Sequence, residues 1–230
     1  MKSCYIVAAA ELAPERLRPE PGDLLIAADA GLLHLERLGL APDLALGDFD
    51  SLGYVPEALQ VEVCPVRKDD TDTMAALRRA LELGYRRALI FGGLGGRRFD
   101  HSLANVQALA WADANGLEAW LIGRSCALTA LSDGAELRFD ARYRGDFSAF
   151  CLGGRAEGVF ERGLSYGLED AELTPDFPLA VSNSFTGEPA SISVTRGRLI
   201  VYWQDDPALP LPARFQAVTM RVLCSGWTLA

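Results

Sequence analysis

Five aspartates fall in two short stretches, Gly47-Asp48-Phe49-Asp50-Ser51 and Lys68-Asp69-Asp70-Thr71-Asp72, each at the end of an apolar run. Ligands of open α/β sheets bind in the crevice beyond the carboxyl ends of the strands, so acidic residues just past two strand-like runs can share one site. Asp48 and Asp50, two apart, point to the same side of an extended chain, and Asp69 and Asp72, three apart at a helix start, share one face. Two bare carboxylates about 4 Å apart repel by roughly 4 kcal/mol at an effective dielectric near 20, a cost that a hard cation removes. Mg²⁺ is held by one or two carboxylates together with water and substrate phosphates, so a phosphate-bearing substrate is its natural companion. The same residues also suit simpler work, Asp69, Asp70 and Thr71 as helix caps and Asp48 to Ser51 as a polar turn. Two such clusters in one chain favour the metal–phosphate reading.

A third strand-end loop, Gly92-Gly93-Leu94-Gly95-Gly96-Arg97-Arg98-Phe99-Asp100-His101, is rich in glycine. Glycines let backbone N–H groups approach phosphate oxygens, and the guanidinium of Arg97 or Arg98 can bind phosphate with two parallel hydrogen bonds. The loop is neither a Walker loop nor a dinucleotide fingerprint, and a glycine-rich turn is by itself a weak signal. His101 alone reads as a capping or core histidine; the upstream acidic clusters raise its standing as a site residue.

The elements that must position these residues read as follows. Apolar runs at Cys4 to Ala10, Asp23 to Ala28, Asp43 to Leu46, Val61 to Val66 and Arg87 to Phe91 suit strands buried on both faces of a parallel sheet. Helices follow the second run (Leu32, Leu33, Leu35, Leu38), the fourth (Met74, Leu77, Leu81, Tyr85 on one face) and the fifth, through Asn105 to Ala114 with Val106 and Leu109 inward. Beyond about residue 120 the helical period disappears. Short runs at Glu118 to Ile122, Ala127 to Leu131, Glu136 to Phe139, Phe147 to Leu152, Ser191 to Thr195, Leu199 to Trp203 and Gln216 to Leu223 alternate with turn residues. The fold class expected is an α/β N-terminal domain with a mainly parallel sheet, residues 1–124, followed by an all-β, sandwich-like C-terminal domain, residues 125–230. Asp205 to Pro212, with three prolines, reads as an exposed excursion before the last strand.

With 230 residues, half of them apolar, the chain can bury a sizeable core. Its net charge of −9, from 31 acidic and 22 basic residues without a Lys/Arg run, argues against a nucleic-acid or membrane partner. Cys4, Cys64, Cys126, Cys151 and Cys224 are scattered and odd in number, which suits reduced thiols and lacks zinc spacing. Lys2 and the run after it faintly imitate a signal peptide but blend into the first strand, and a cytoplasmic protein without a membrane span is expected.

Four motifs, Ala28-Asp29-Ala30-Gly31, Gly47 to Ser51, Lys68 to Asp72, and Gly92 through Asp100-His101-Ser102-Leu103-Ala104-Asn105, stand in an order that resembles the thiamine pyrophosphokinase (thiamine diphosphokinase) family. Gly163-Leu164-Ser165-Tyr166-Gly167-Leu168 and Val181-Ser182-Asn183 resemble shorter motifs of that family's β domain. The resemblance covers most of the chain. It implies transfer of the pyrophosphoryl group of ATP to thiamine, with release of AMP, with Mg²⁺, and in homodimers whose active sites lie at the subunit interface. By motif, Asp48, Asp50, Asp69 and Asp72 are implied as metal and phosphate-side carboxylates, and Asp48, Asp50, Asp72 and Asp100 as the catalytic set. Asp29, Ser51, Lys68, Thr71, Arg97 or Arg98, His101 and Asn105 are implied around the nucleotide, and Tyr166, Ser182 and Asn183 around thiamine, reaching the partner subunit's α/β site.

Three features depart from the family pattern. Ala30 replaces a glycine and is harmless only at negative φ. Arg67 replaces an acidic residue before Lys68, and the glycine loop is one residue longer, so that counting back from Asp100 selects Arg98 and counting forward from Gly96 selects Arg97. Competing readings are a pyrophosphokinase for another alcohol such as a hydroxymethylpterin, a phosphatase using Asp48 as nucleophile, and a nucleotide- or thiamine-binding module without turnover.

Overall fold

The computed structural model describes residues 2–47, 49, 61–63 and 70–216. The first half alternates strands and helices: β1 (Cys4–Val7), β2 (Leu24–Ala28), α1 (Gly31–Leu38), β3 (Leu44–Gly47), β4 (Val61–Val63), α2 (Asp72–Glu82), β5 (Arg87–Phe91), α3 (Phe99–Ala114) and β6 (Glu118–Ile122). Its strands lie side by side as β6-β5-β1-β2-β3-β4, all parallel. The side chains of β1, β2 and β5 are almost wholly buried, which is why these strands read as unbroken apolar runs. The rest of the expected Val61 to Val66 strand lies outside the described residues.

α2 opens at an N-cap, Thr71, whose hydroxyl accepts from the Met74 N–H at 3.2 Å. Its most buried stripe is Thr73, Ala76, Leu77 and Ala80, and the larger Met74, Leu81 and Tyr85 flank it. Small side chains let the helix lie close to the sheet, displacing the buried face from the one that the large residues mark. Gly84 ends the helix at φ +90.

Past β6 come β7 (Cys126–Ser132), β8 (Ala135–Phe139), β9 (Asp146–Cys151), β10 (Ala156–Arg162), β11 (Leu168–Leu173), β12 (Asn183–Ser184), β13 (Ala190–Arg196), β14 (Arg198–Gln204) and β15 (Ala213–Gln216). β7, β14, β9 and β12 add antiparallel strands to β6, so that one sheet of ten strands runs from β12 to β4. The remaining strands make a second, antiparallel sheet in the order β11-β10-β13-β8-β15. The change of rhythm near residue 124 marks the turn from parallel to antiparallel pairing, and the sheet itself continues through it. β10 and β11 carry no apolar run: β11, Leu-Glu-Asp-Ala-Glu-Leu, is an edge strand with three exposed acidic residues, the charged kind of edge that resists pairing with another chain. Of the expected last strand only Gln216 is described, as the end of β15.

α2 and α3 cover one face of the large sheet. α1 and the second sheet share the other, in one continuous core. Its centre is aromatic: Trp120 meets Trp203 edge-on at 5.8 Å, and Phe139 contacts Trp203 at 5.6 Å and Phe147 at 5.7 Å. The proline-rich 205–212 stretch is pinned to the body instead of standing free. Arg16 donates from Nε and Nη2 to the Asp205 carboxylate at 2.6 and 2.7 Å, and to the carbonyls of Asp206 and Leu209. No helix among the described residues is long and apolar enough to cross a membrane, and Cys4, Cys126 and Cys151 are free thiols.

One acidic side chain of β10, Glu161, is turned into this core and is only 2 % exposed. Burial pushes its carboxyl up to about 7, against a smaller opposing effect of a hydrogen bond from Asn183. A carboxyl whose folded pKa is raised favours folding while protonated, fully below about 4.5, and loses that contribution as pH rises through about 7. From pH 5 to pH 8 the unfolding free energy of the wild type is therefore expected to fall by about 2 to 3 kcal/mol more than that of Glu161→Gln, measured by urea denaturation. Arg16→Ala, which strands the buried Asp205 carboxylate, is expected to cost about 3 kcal/mol in the same assay, and a loss below about 1 kcal/mol would contradict the clamp.

Candidate active site

After β1 the chain adds β2, β3 and β4 on one side, and α2 then carries it back across β1 to β5 on the other. Crossovers leaving in opposite directions open a crevice at the carboxyl ends of β1 and β5. A cavity of about 280 Å³ lies there. Its walls are Ala8 to Ala10 after β1, Asp29 after β2, Thr71 to Thr73 at the start of α2, and Gly92, Gly93 and Gly95 to Arg98 after β5, with His101 and Asn105 of α3.

Close backbone approach shapes the crevice. A Cβ on Gly31 would lie 1.9 Å from the Val7 carbonyl oxygen, and one on Gly92, at φ +63, 2.2 Å from that of Ala8. Ala30 has φ −63, so alanine is accommodated there without strain. Asp29 occupies the left-handed region at φ +47, uncommon for a residue with a side chain and held here by its N–H bond to the Leu46 carbonyl at 2.8 Å.

The glycine loop is fastened from α3. Asn105 Nδ2 donates to the Gly93 carbonyl at 2.8 Å, and the Ser102 hydroxyl accepts from the Gly95 N–H at 3.1 Å. His34 of α1 donates from Nε2 to the Ala10 carbonyl at 2.8 Å and steadies the opposite wall. Ser102, although inside the quoted Asp100 to Asn105 motif, and His34 were not singled out by sequence, since nothing in their spacing marks the backbone groups they hold. α2 directs its N-terminus, the positive end of its dipole, at the cavity, and α3 begins beside it.

The two arginines differ. Arg98 makes a two-point pair with Asp100, Nε to Oδ1 at 3.0 Å and Nη2 to Oδ2 at 2.7 Å. The hydrogen bonds from Arg98 lower the Asp100 carboxyl to about 2. Asp100 itself is exposed and does not line the cavity, whereas Arg97 lines it and has no ion pair among the described residues. Asp70 is paired with Arg78 at 2.8 Å, outside the crevice.

The structure thus gathers Asp29, Thr71, Asp72, Arg97, Arg98, His101 and Asn105 around one cavity. Asp48, Asp50, Ser51, Lys68 and Asp69, with Arg67, lie outside the described residues. Phe49, the described residue between Asp48 and Asp50, is buried in the core at φ +55. No three His, Cys, Asp or Glu side chains converge among the described residues.

Tyr166, Ser182 and Asn183 stand elsewhere. Asn183 is buried and ties Tyr166 by its backbone, Ser182 sits at φ +64, and the Tyr166 ring is 73 % exposed. One row of paired residues crosses the large sheet from Val7 and Phe91 through Ile122, Ala127, Trp203 and Phe147 to Asn183. Asn183 is therefore at the same end of the sheet as the cavity but five strands from β5, about 24 Å at the usual strand spacing.

Both halves of the chain match known proteins. A family model for the catalytic domain of thiamin pyrophosphokinase matches residues 20–121, and one for its vitamin B1 binding domain matches residues 136–199. The chain is 30% identical over 224 residues to the thiamine pyrophosphokinase of Bacillus subtilis strain 168, with 90% of this chain and 100% of that protein covered. The crystal structure of the Bacillus subtilis enzyme superimposes with a TM-score of 0.77 at 28% identity over 89% of this chain and 100% of the other. That of the Geobacillus thermodenitrificans enzyme gives 0.75 at 26% over 89% and 98%. The yeast enzyme, 14% identical over 89% and 86%, shares the fold at a TM-score of 0.69. The chain belongs to the thiamin pyrophosphokinase family.

Proposed function

We propose that the crevice at the ends of β1 and β5 is the nucleotide half of the active site and that the Tyr166 edge supplies the thiamine half to a second copy of the chain. The chain is an enzyme that transfers the pyrophosphoryl group of ATP to thiamine, giving thiamine diphosphate and AMP. The relatives named above are thiamine pyrophosphokinases, which favours thiamine over a hydroxymethylpterin as acceptor. The observation that carries the site assignment is the convergence of Asp29, Thr71, Asp72, Arg97 and a helix N-terminus on one cavity at the topological switch point.

In the reaction the hydroxyethyl oxygen of thiamine bonds to the β-phosphorus, the bond from that phosphorus to the α,β-bridging oxygen breaks, and AMP departs with the electron pair. Such transfers depend on positioning and charge stabilisation. Backbone N–H groups of the glycine loop and the N-terminus of α2 hold phosphate oxygens, and Arg97, with no ion pair among the described residues, is the guanidinium for them. Arg98 is engaged by Asp100. Asp29, Ser51, Lys68, Thr71, His101 and Asn105 surround the nucleotide, Asn105 by fixing the loop.

Asp48, Asp50, Asp72 and Asp100 are proposed as the catalytic carboxylates. Of the two candidates to accept the hydroxyl proton, Asp72 faces the cavity and Asp100 does not. Asp29 and Asp72 give this cavity hard oxygen donors, which fits Mg²⁺. Asp48, Asp50, Asp69 and Asp72 would hold it, and when bound it neutralises charge on the phosphate oxygens.

The large separation along the sheet supports a homodimer with the active site at the subunit interface, since one thiamine does not bridge about 24 Å. Residues 1–124 would then carry nucleotide and metal, and residues 125–230 thiamine binding and dimer contacts. Tyr166 would meet the cationic, aromatic thiamine with its ring face, Ser182 would flank it, and Asn183, whose amide is consumed internally, would act through Tyr166.

Purified protein given ATP, Mg²⁺ and thiamine is expected to form AMP and thiamine diphosphate in equal amounts, and absence of both would refute the assignment. Asp72→Asn is expected to abolish turnover with unchanged thermal stability. Arg97→Ala is expected to raise the KM for ATP about tenfold or more, with a smaller effect for Arg98→Ala; the reverse order would move the phosphate contact to Arg98.

A further inference from the structure

The inward face of β10 carries Ala156, Val159 and Glu161. At the third position an aliphatic side chain would satisfy the surrounding core, which includes Ile192, Phe185 and Leu164. The carboxyl there accepts from Asn183 Nδ2 at 2.9 Å through Oε2, and its buried Oε1 accepts no hydrogen bond among the described residues. A buried, half-satisfied carboxyl costs stability, so its presence calls for a reason outside the core.

The reason lies one residue further along the hydrogen-bond chain. Asn183 Nδ2 also donates to the Tyr166 carbonyl at 2.7 Å, and Asn183 Oδ1 accepts from the N–H groups of Tyr166 at 3.0 Å and Ser184 at 2.9 Å. Both hydrogens and both lone pairs of the amide are spent, and it grips the N–H and the C=O of one peptide residue at once. The turn that carries Tyr166 is further zipped to β12: Ser165 donates its N–H to the Ser184 carbonyl at 2.9 Å, the two serine hydroxyls are 2.7 Å apart, and Thr186 donates its hydroxyl to the Gly163 carbonyl at 2.9 Å. What this framework presents is the Tyr166 ring, 73 % exposed. A rigid backbone under an exposed aromatic ring is a pre-organised platform for a flat ligand.

We infer that Glu161 is a positioning residue for thiamine: its carboxyl oxygen fixes the Asn183 amide, and the amide fixes the backbone from which the Tyr166 ring meets the substrate. The inference rests on the reading of Tyr166 as a thiamine contact. Without the acceptor at 161, one Nδ2 hydrogen of Asn183 is buried without a partner, and the cost of that group weakens the grip of the amide on Tyr166. Loss of the acceptor then weakens thiamine binding while leaving the nucleotide crevice, five strands away, untouched.

Three variants test this in steady-state assays with ATP and thiamine varied separately. Glu161→Gln keeps an acceptor oxygen, and its thiamine KM is expected to stay within about threefold of wild type. Glu161→Leu keeps the packing and removes the acceptor, so it is expected to hold or raise the melting temperature while raising the thiamine KM about tenfold, with the KM for ATP unchanged. Tyr166→Ala is expected to raise the thiamine KM at least as much. A Glu161→Leu enzyme with wild-type thiamine KM, or one that loses ATP and thiamine affinity equally, overturns the inference. So does a Glu161→Gln enzyme whose thiamine KM rises about tenfold, an arm that stands even where the leucine variant does not fold. If Tyr166→Ala leaves the thiamine KM unchanged, the reading of Tyr166 itself fails; if it raises that KM and Glu161→Leu does not, only the role of Glu161 falls.

Discussion

Hydrogen bonding fixes neighbouring strands about 4.8 Å apart, and a sheet of ten strands is therefore a ruler. The paired row from Val7 to Asn183 sets the crevice and Asn183, to which Tyr166 is bonded, at the same end of that ruler, five strands apart. The proposed division of the site between two copies of the chain follows from this spacing. Among the described residues the phosphate-binding features gather in the crevice and the exposed Tyr166 lies apart from it, which is the basis for proposing that a second copy of the chain completes each site.

Within the crevice, rigidity comes from backbone packing and not from the charged side chains. Glycines at 31 and 92 permit chain segments to approach within distances that a Cβ forbids, and Asn105, Ser102 and His34 hold the resulting loops by their carbonyl and N–H groups. The charged residues can then face the cavity without having to fold it. Both arginines line the cavity; Arg98 is paired with Asp100 and Arg97 has no ion pair among the described residues, a difference no spacing rule could show because both positions satisfy the motif.

The parallel half of the fold was legible because burial on both faces writes itself as an unbroken apolar run; β5 and β6 begin and end where their runs do. The β half was legible in its rhythm but not in its assignment to sheets, since alternation shows that a strand has two faces and not which neighbour it pairs with. β10 and β11 left no run because one carries the buried Glu161 and the other is a charged edge. Of the two acidic clusters Asp72 lines the cavity, while His34 and Ser102, which hold the loops around it, and Glu161, which holds Asn183, were not singled out, since bonds to backbone groups or to a single amide leave no spacing signal.

The most direct measurement is complementation between an inactive chain, Asp72→Asn with its intact Tyr166 edge, and an impaired one, Tyr166→Ala with its intact crevice, co-expressed or refolded together and assayed at thiamine well below its KM. Composite sites predict that random pairing restores about a quarter of wild-type activity, since half the dimers regain one of two sites. Mixtures no more active than either chain alone would contradict the account, because a site built within one chain gains nothing from its neighbour.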